Sequence, residues 1–400
     1  MHSSDDNSDK KWGAATHSIH GRQDKAYLSP TFPIYQTSTF AVAESGDFAP
    51  LLDGTAEDAF VYTRYGNPTI ANVQEKLAAI HHAEVGFLFG SGMAAIAAAI
   101  LSQVKAGDTV AAIRPVYGGT YAFVNQMLPR AGITTHFITP EQAYEIEKHV
   151  PNANLIYFET PANPTTICID IEAVVQAARR IGAKTVIDNT FASPINTLPL
   201  DWGVNLVVES ATKFIGGHSD VISGAVLGRA EDAEALHQQL VFYGGCASPL
   251  EAFLLDRSLK TLKMRVQMQN DHALKIAQFF EAESAVQRVY YPYLPSSPDY
   301  AVAKKQMAGG SGVMALDFGS LEAAVAFVDS LTLVVNAVSL GSVESLVTIP
   351  VLSTHAKVDD AERLLARVTP GTVRLSIGAE ELDDLTADFE KALQKIRITA

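Results

Sequence analysis

The chain has 400 residues, 44 of them acidic and 30 basic, for a formal net charge of −14. That balance excludes a general attraction to phosphate backbones or anionic lipid, while leaving room for a local basic pocket that holds one small anion. At this length a single core stops growing, so a large domain and a smaller one are expected.

Cys168 and Cys246 are the only cysteines. With no CxxC and no Cys/His zinc spacing, they form neither a disulfide framework nor a metal site, and a reducing, cytoplasmic compartment is expected. Residues 1–11 are polar and charged without an apolar h-region and read as a loose tail. The longest apolar run, residues 93–101, falls far short of the ~20 residues of a membrane span. Neither nucleic acid nor membrane is therefore expected as a partner.

In chain order, residues 12–62 are rich in Ser, Thr, Pro and aromatics and show no periodicity, which predicts an extended arm of the kind that reaches a neighbouring subunit. A helix follows over 70–80, then a strand over 85–89, a glycine turn and a second helix from Met93. Strands at 109–113, 134–138, 155–158, 185–187 and 206–208 alternate with helices, which predicts an α/β layer with a mostly parallel sheet. Beyond Gly244-Gly245 a long helical segment, 249–281, connects to strands at 313–318 and 372–377 and helices at 321–331 and 382–396. These form a smaller C-terminal α+β domain. The expected divisions are an arm at 1–65, a large domain at 66–260 and a small domain at 261–400.

Three segments carry chemistry. Phe89-Gly90-Ser91-Gly92-Met93 lies where a strand meets a helix, and glycines there let a phosphate approach the free amides of the helix start. Gly90-x-Gly92-x-x-Ala95 also fits a dinucleotide fingerprint, so a nicotinamide-dependent oxidoreductase is a rival reading. Asp108 has the spacing of the acid that reading needs, but it precedes its strand. Asp188, in Val186-Ile187-Asp188-Asn189-Thr190, ends an apolar strand, where open α/β sheets place ligand groups. It could equally cap a turn.

The third segment weighs most. In Glu209-Ser210-Ala211-Thr212-Lys213-Phe214-Ile215-Gly216-Gly217-His218 a strand runs into two hydroxyls, a lysine and a glycine pair. A deprotonated lysine forms a Schiff base, and the hydroxyls of Ser210 and Thr212 can donate to a phosphate. An acid for a pyridinium nitrogen, a lysine for an aldehyde and a helix start for a phosphate together match a site for pyridoxal 5'-phosphate (PLP).

These segments resemble the Cys/Met-metabolism family of fold-type I PLP enzymes, which includes cystathionine γ-lyase, cystathionine γ-synthase and methionine γ-lyase. The resemblance spans residues 16–393 and is most specific in Ser210-Ala211-Thr212-Lys213 with its glycines and His218, and in Tyr62-Thr63-Arg64-Tyr65-Gly66-Asn67-Pro68-Thr69. It implies an aspartate-aminotransferase-like fold with PLP on Lys213. Tyr62 and Arg64 would reach the phosphate of an adjacent subunit, making a homotetramer of two active dimers, with Gly92, Met93, Ser210 and Thr212 on the phosphate within the subunit.

The resemblance also places Tyr117 on the cofactor ring as the acid for a departing γ-substituent, and Arg374 on the substrate carboxylate. Asn163 and Ser339 flank cofactor and substrate. It implies γ-elimination on a sulfur-containing or homoserine-derived amino acid, giving 2-oxobutyrate and ammonia, or γ-replacement by a nucleophile. Lys213 would carry protons in either case. Two departures bear on specificity: Gly119 stands where methionine γ-lyases carry cysteine, and Val338 where cystathionine enzymes usually carry glutamate. His17 and His20 read as residues of a solvated arm, and His81-His82 as a helix end beside its negative pole.

Overall fold

The computed structural model describes residues 12–52, 60–356, 358 and 360–399, so the N-terminal tail lies outside the described residues. Seven strands build the larger sheet: β1 (Val85–Phe89), β2 (Thr109–Ile113), β3 (Thr134–Ile138), β4 (Leu155–Glu159), β5 (Lys184–Asp188), β6 (Leu206–Glu209) and β7 (Gly224–Gly228). Their order is β1-β7-β6-β5-β4-β2-β3. From β3 to β6 the pairing is parallel, and β7 runs antiparallel to both β6 and β1. The pattern predicts all of these except β7, whose Gly224-Ala225-Val226-Leu227-Gly228 is short and bracketed by glycines. Only its place between β1 and β6 makes it a strand.

Because strand side chains alternate, each central strand feeds two cores. Ile156, Phe158, Ile187 and Val207 pack with Ile70, Val73, Leu77 and Ile80 of the helix Pro68–Ile80 and with Val174 of the helix Ile171–Ile181. Leu155, Tyr157, Val186, Leu206 and Val208 face the other way, against Ala95, Ile96 and Ala99 of the helix Gly92–Leu101. Helix starts are written locally. The Asn67 side chain accepts from the Thr69 amide with Pro68 in the first turn, and the Ser91 hydroxyl accepts from the Ala94 amide.

Parity also assigns the acids at the strand ends. Glu159 and Asp188 are register partners, on the face of the helix Gly92–Leu101. Glu209 lies one residue beyond Val208, which pairs with Asp188, so it turns to the opposite face. Since β7 is antiparallel to both β1 and β6, Phe89 and Glu209 end at the same sheet edge, opposite Gly224 and Ala225. Gly90, Asp188 and Ser210 therefore converge on one edge.

A second sheet of five strands, β8 (Arg288–Tyr290), β9 (Val313–Asp317), β10 (Val335–Asn336), β11 (Leu346–Thr348) and β12 (Thr372–Ser376), has the order β10-β11-β12-β9-β8 and is antiparallel except for β10-β11. Phe280, Phe327 and Phe389 centre its core, with ring centroids 5.1 to 6.3 Å apart.

Three expectations need correction. The segment 249–281 is two helices, Pro249–Leu259 and Leu262–Glu281, separated at Lys260-Thr261. The break lets buried Arg265 donate back to the carbonyls of Phe214, Ile215 and Ser258. The region 12–62 is not wholly extended: the helix Ala14–Ile19 packs on the helix Pro68–Ile80, with His17 half-buried on it and the Trp12 ring beside both His17 and His20. His81 is fully buried, and burial, followed by the charge of His82, pushes its pKa down to about 3. His81 does end the helix Pro68–Ile80 as its C-cap, but uncharged, and it is His82 that meets an acid, Asp201, at 2.9 Å.

Candidate active site

Lys213 follows β6 on a turn closed by its own backbone, with Lys213 N donating to Ser210 O and Gly217 N to Lys213 O. Gly217 has φ +65°, and a Cβ there would strike the Arg265 guanidinium at 1.9 Å, so only glycine fits under that clamp. The lysine amine points across to the smaller sheet and donates to Ser339 Oγ at 2.8 Å. Burial, with Arg374 as the second cause, lowers its pKa to about 8. An amine held this way is partly free base near neutral pH, as a nucleophilic lysine requires.

Arg374 lies mid-strand in β12 and is buried. Its guanidinium donates to Asn163 Oδ1 at 2.9 Å and to the Ser339 carbonyl at 2.8 Å, while burial lowers its pKa to about 10. Asn163 and Ser339, turn residues in sequence, are thus the two arms that hold the arginine. Ser339 adopts φ +92°, a left-handed conformation unusual for serine that places its hydroxyl at Lys213 and its carbonyl at Arg374. Tyr117 is half-exposed.

On the other side of Lys213, the hydroxyl of Ser210 would lie 2.8 Å from a Cβ on Gly92, so the absence of a side chain at Gly92 opens the space between the helix start and Ser210. No hydrogen bond among the described residues takes the first-turn amides of Gly92 and Met93, and these are the donors a phosphate uses. Thr212 Oγ1 is held in a reciprocal pair with Ser223, donating to its carbonyl and accepting from its amide. Asp188 accepts from the Thr190 amide, so it does cap a turn as well as ending β5. Its pKa is raised, chiefly by burial.

Tyr62 and Arg64 stand apart from this group. Arg64 donates to the Val241 carbonyl and lies over the Tyr65 ring at 4.9 Å, and Tyr62 is half-exposed. Among the described residues neither contacts Ser210, Thr212 or Lys213. Asp108, the acid of the dinucleotide reading, accepts from the Lys105 amide before β2 and so occupies the opposite edge of the sheet from Gly90. That reading loses its ribose partner.

Four contributors were not apparent from sequence. Arg265 clamps the lysine turn. Arg114 pairs with Glu362 at 2.5 Å, tying the turn that carries Tyr117 to the small-sheet side. Glu159, buried on β4, accepts from the Tyr117 amide at 2.9 Å. Glu209, buried on the opposite face, accepts from Asn189 Nδ2 at 2.9 Å and lies 3.7 Å from His81 Nε2, with burial driving the acid's pKa up and the imidazole's down. A carboxylate at a strand end was the only available signal, and it is the same signal at Glu159, Asp188 and Glu209.

The sequence pattern of the Cys/Met metabolism PLP-dependent enzymes matches residues 15–394. The chain is 38% identical to an L-methionine gamma-lyase of Porphyromonas gingivalis, over 96% of this chain and 98% of that one. It is 37% identical to a cystathionine gamma-lyase of Bacillus subtilis, over 94% and 98%. Its fold superposes with a TM-score of 0.92 on a cystathionine gamma synthase of Xanthomonas oryzae pv. oryzae solved in complex with cystathionine, at 34% identity over 98% of this chain and all of that one.

Proposed function

The chain belongs to the Cys/Met metabolism PLP-dependent enzymes, and from that premise we propose that it releases 2-oxobutyrate and ammonia by γ-elimination from a sulfur-containing or homoserine-derived L-amino acid. It is a fold-type I enzyme with pyridoxal 5'-phosphate as cofactor and acts as a carbon–sulfur lyase or γ-substituting transferase. The observation that carries the residue assignment is the convergence of the Lys213 amine and the Arg374 guanidinium on the two ends of Ser339.

The residues fit the cofactor. Gly92, Met93 and Ser210 would take its phosphate, joined by Thr212 once its hydroxyl turns from the Ser223 carbonyl, with Asp188 on its ring nitrogen, Tyr117 on its ring face and Lys213 on its aldehyde. When bound, pyridoxal phosphate supplies an electron sink for the bonds at Cα. Lys213, displaced by the substrate amine, would take the α-proton and then remove a proton from the β-carbon, whose electron pair expels the γ-group. Arg374 binds the substrate carboxylate through a planar fork already aligned by Asn163 and Ser339. Tyr117 gives its proton to the departing γ-group.

γ-Replacement is the second reading, since the same residues serve it until a nucleophile enters. Val338, 59% exposed beside Ser339, offers no carboxylate to a distal ammonium and so favours substrates with an apolar or acyl γ-substituent. We assign residues 1–65 as an arm toward a neighbouring subunit, with Tyr62 and Arg64 on the partner's phosphate, in a cytoplasmic homotetramer. What supports this is that Arg64 is held by the Val241 carbonyl and Tyr62 is half-exposed, neither being hydrogen-bonded to Lys213 among the described residues. The deciding experiment measures 2-oxobutyrate from methionine, cystathionine, homocysteine and O-acetylhomoserine with and without a thiol. Release unaffected by thiol identifies a lyase, and its loss in favour of a new amino acid identifies a synthase.

A further inference from the structure

Beside the acid assigned to the cofactor ring stands a second one with no cationic partner among the described residues. Glu159 is 5% exposed and faces Asp188 across the β4–β5 ladder. Its Oε1 accepts from the Tyr117 amide at 2.9 Å and from the Tyr157 hydroxyl at 3.2 Å. The groups that face it are Asp188 on β5, Tyr157 on its own strand, and the Tyr117 amide and Thr120 hydroxyl on the turn after β2. Two neighbouring buried carboxyls do not both ionise, because the second charge meets both desolvation and the first.

We infer that Glu159 is a positioning residue that works as the neutral, protonated member of an acid pair with Asp188, anchoring the main chain of Tyr117 while leaving the negative charge to Asp188. The inference rests on the assignment of Asp188 and Tyr117 to the cofactor ring. The division of labour follows from placement. Asp188 is the less buried of the two, and a ring cation would draw the charge to it, whereas Glu159 has only neutral donors. Burial first, and Asp188 second, raise Glu159 to about 8. The pair therefore holds one proton at neutral pH and gives it up in alkali, which would set two negative charges behind Tyr117.

Glu159→Gln keeps a carbonyl acceptor for both donors and removes the titration. The holoenzyme's visible absorption and its kcat/KM are followed against pH in both proteins. The native protein is expected to show an ionisation near pH 8 that the Gln variant lacks, with pyridoxal phosphate affinity kept within several-fold. For the apoenzyme the sign is set by a folded pKa above the unfolded one. Stability is lost as pH rises from the ordinary glutamate range through about 8, so the Gln variant's advantage in Tm grows over that range. Persistence of the ionisation in Glu159→Gln, or a hundredfold loss of cofactor affinity, would overturn the inference. If the variant does not fold, infrared spectra of the native protein decide: no protonated-carboxyl band at neutral pH overturns it. If no absorption band is removed by borohydride even in the native holoenzyme, the site assignment fails instead, and the apoenzyme and infrared results still judge Glu159.

Discussion

The amine of Lys213, which follows the larger sheet, donates to the hydroxyl of Ser339, on the smaller sheet's side, at 2.8 Å. The two residues are 126 positions apart, and their contact joins the turn that carries Lys213 to the loop whose carbonyl holds Arg374.

Replacing Lys213 by Ala is expected to abolish turnover and the borohydride-reducible visible band together, since both depend on that amine. In the native apoenzyme, capture of pyridoxal phosphate should quicken as pH rises through about 8 and then level off, because burial and Arg374 hold the amine there. Stopped-flow absorbance at several pH values checks this, and capture independent of pH would contradict it.

Arg374→Lys keeps a charge but loses the fork that reaches Asn163 and Ser339 at once. Losing one charged hydrogen bond to a substrate carboxylate costs ~1.5–3 kcal/mol, so KM is expected to rise roughly 10- to 100-fold. Steady-state kinetics, with the visible spectrum as a control for cofactor occupancy, provides the measurement.

Tyr117→Phe retains the aromatic face and the amide that donates to Glu159. Cofactor affinity should survive, while departure of the γ-group slows by ~100- to 10,000-fold, the usual contribution of a positioned acid. A defect confined to pyridoxal phosphate binding would refute the acid role.

Lys76 and Asp256 pair at 2.7 Å with both side chains buried, and Lys76 also donates to the carbonyls of Ser18 and Ile19. Lys76→Met strands a buried carboxylate that retains Asn72 Nδ2 at 2.9 Å and the more distant Lys260 at 3.7 Å. Stability should fall by ~3–5 kcal/mol. The loss should also free the helix Ala14–Ile19 to proteolysis, and urea unfolding with limited digestion reads both effects.

His81 is neutral when folded, whereas an unfolded histidine takes a proton near its ordinary pKa of 6.5. The unfolded state then binds more protons, so stability is expected to decline as pH falls from about 6.5 toward about 3. His81→Leu should flatten part of that decline in Tm.

Lys213 stood out in sequence because a strand end running into two hydroxyls, a lysine and a glycine pair is a rare, local pattern, whereas Asp188 carried only the strand-end carboxylate that Glu159 and Glu209 share. Most strands fell within a residue or two of their expected positions, since apolar runs between turn residues are also local signals. β7 was not readable, because its strand character comes from the edges of β1 and β6. The break at Lys260-Thr261 was likewise hidden, since its cause is Arg265 reaching three distant carbonyls. Asn163 and Ser339 were named only through the family resemblance, since each alone is an ordinary turn residue, and Glu159 looked like an ordinary strand residue until folding placed it against Tyr117.

The sequence by itself determined the family, the cofactor chemistry and the alternation of strands and helices, because all three are carried by short motifs and by periodicity. Tertiary structure alone decided which groups hold Arg374, what clamps the lysine turn and which acid is paired with Asp188. Those relationships depend on strand parity and on contacts between residues 29 to 211 positions apart, where burial and mutual charge, not residue type, set what each side chain can do.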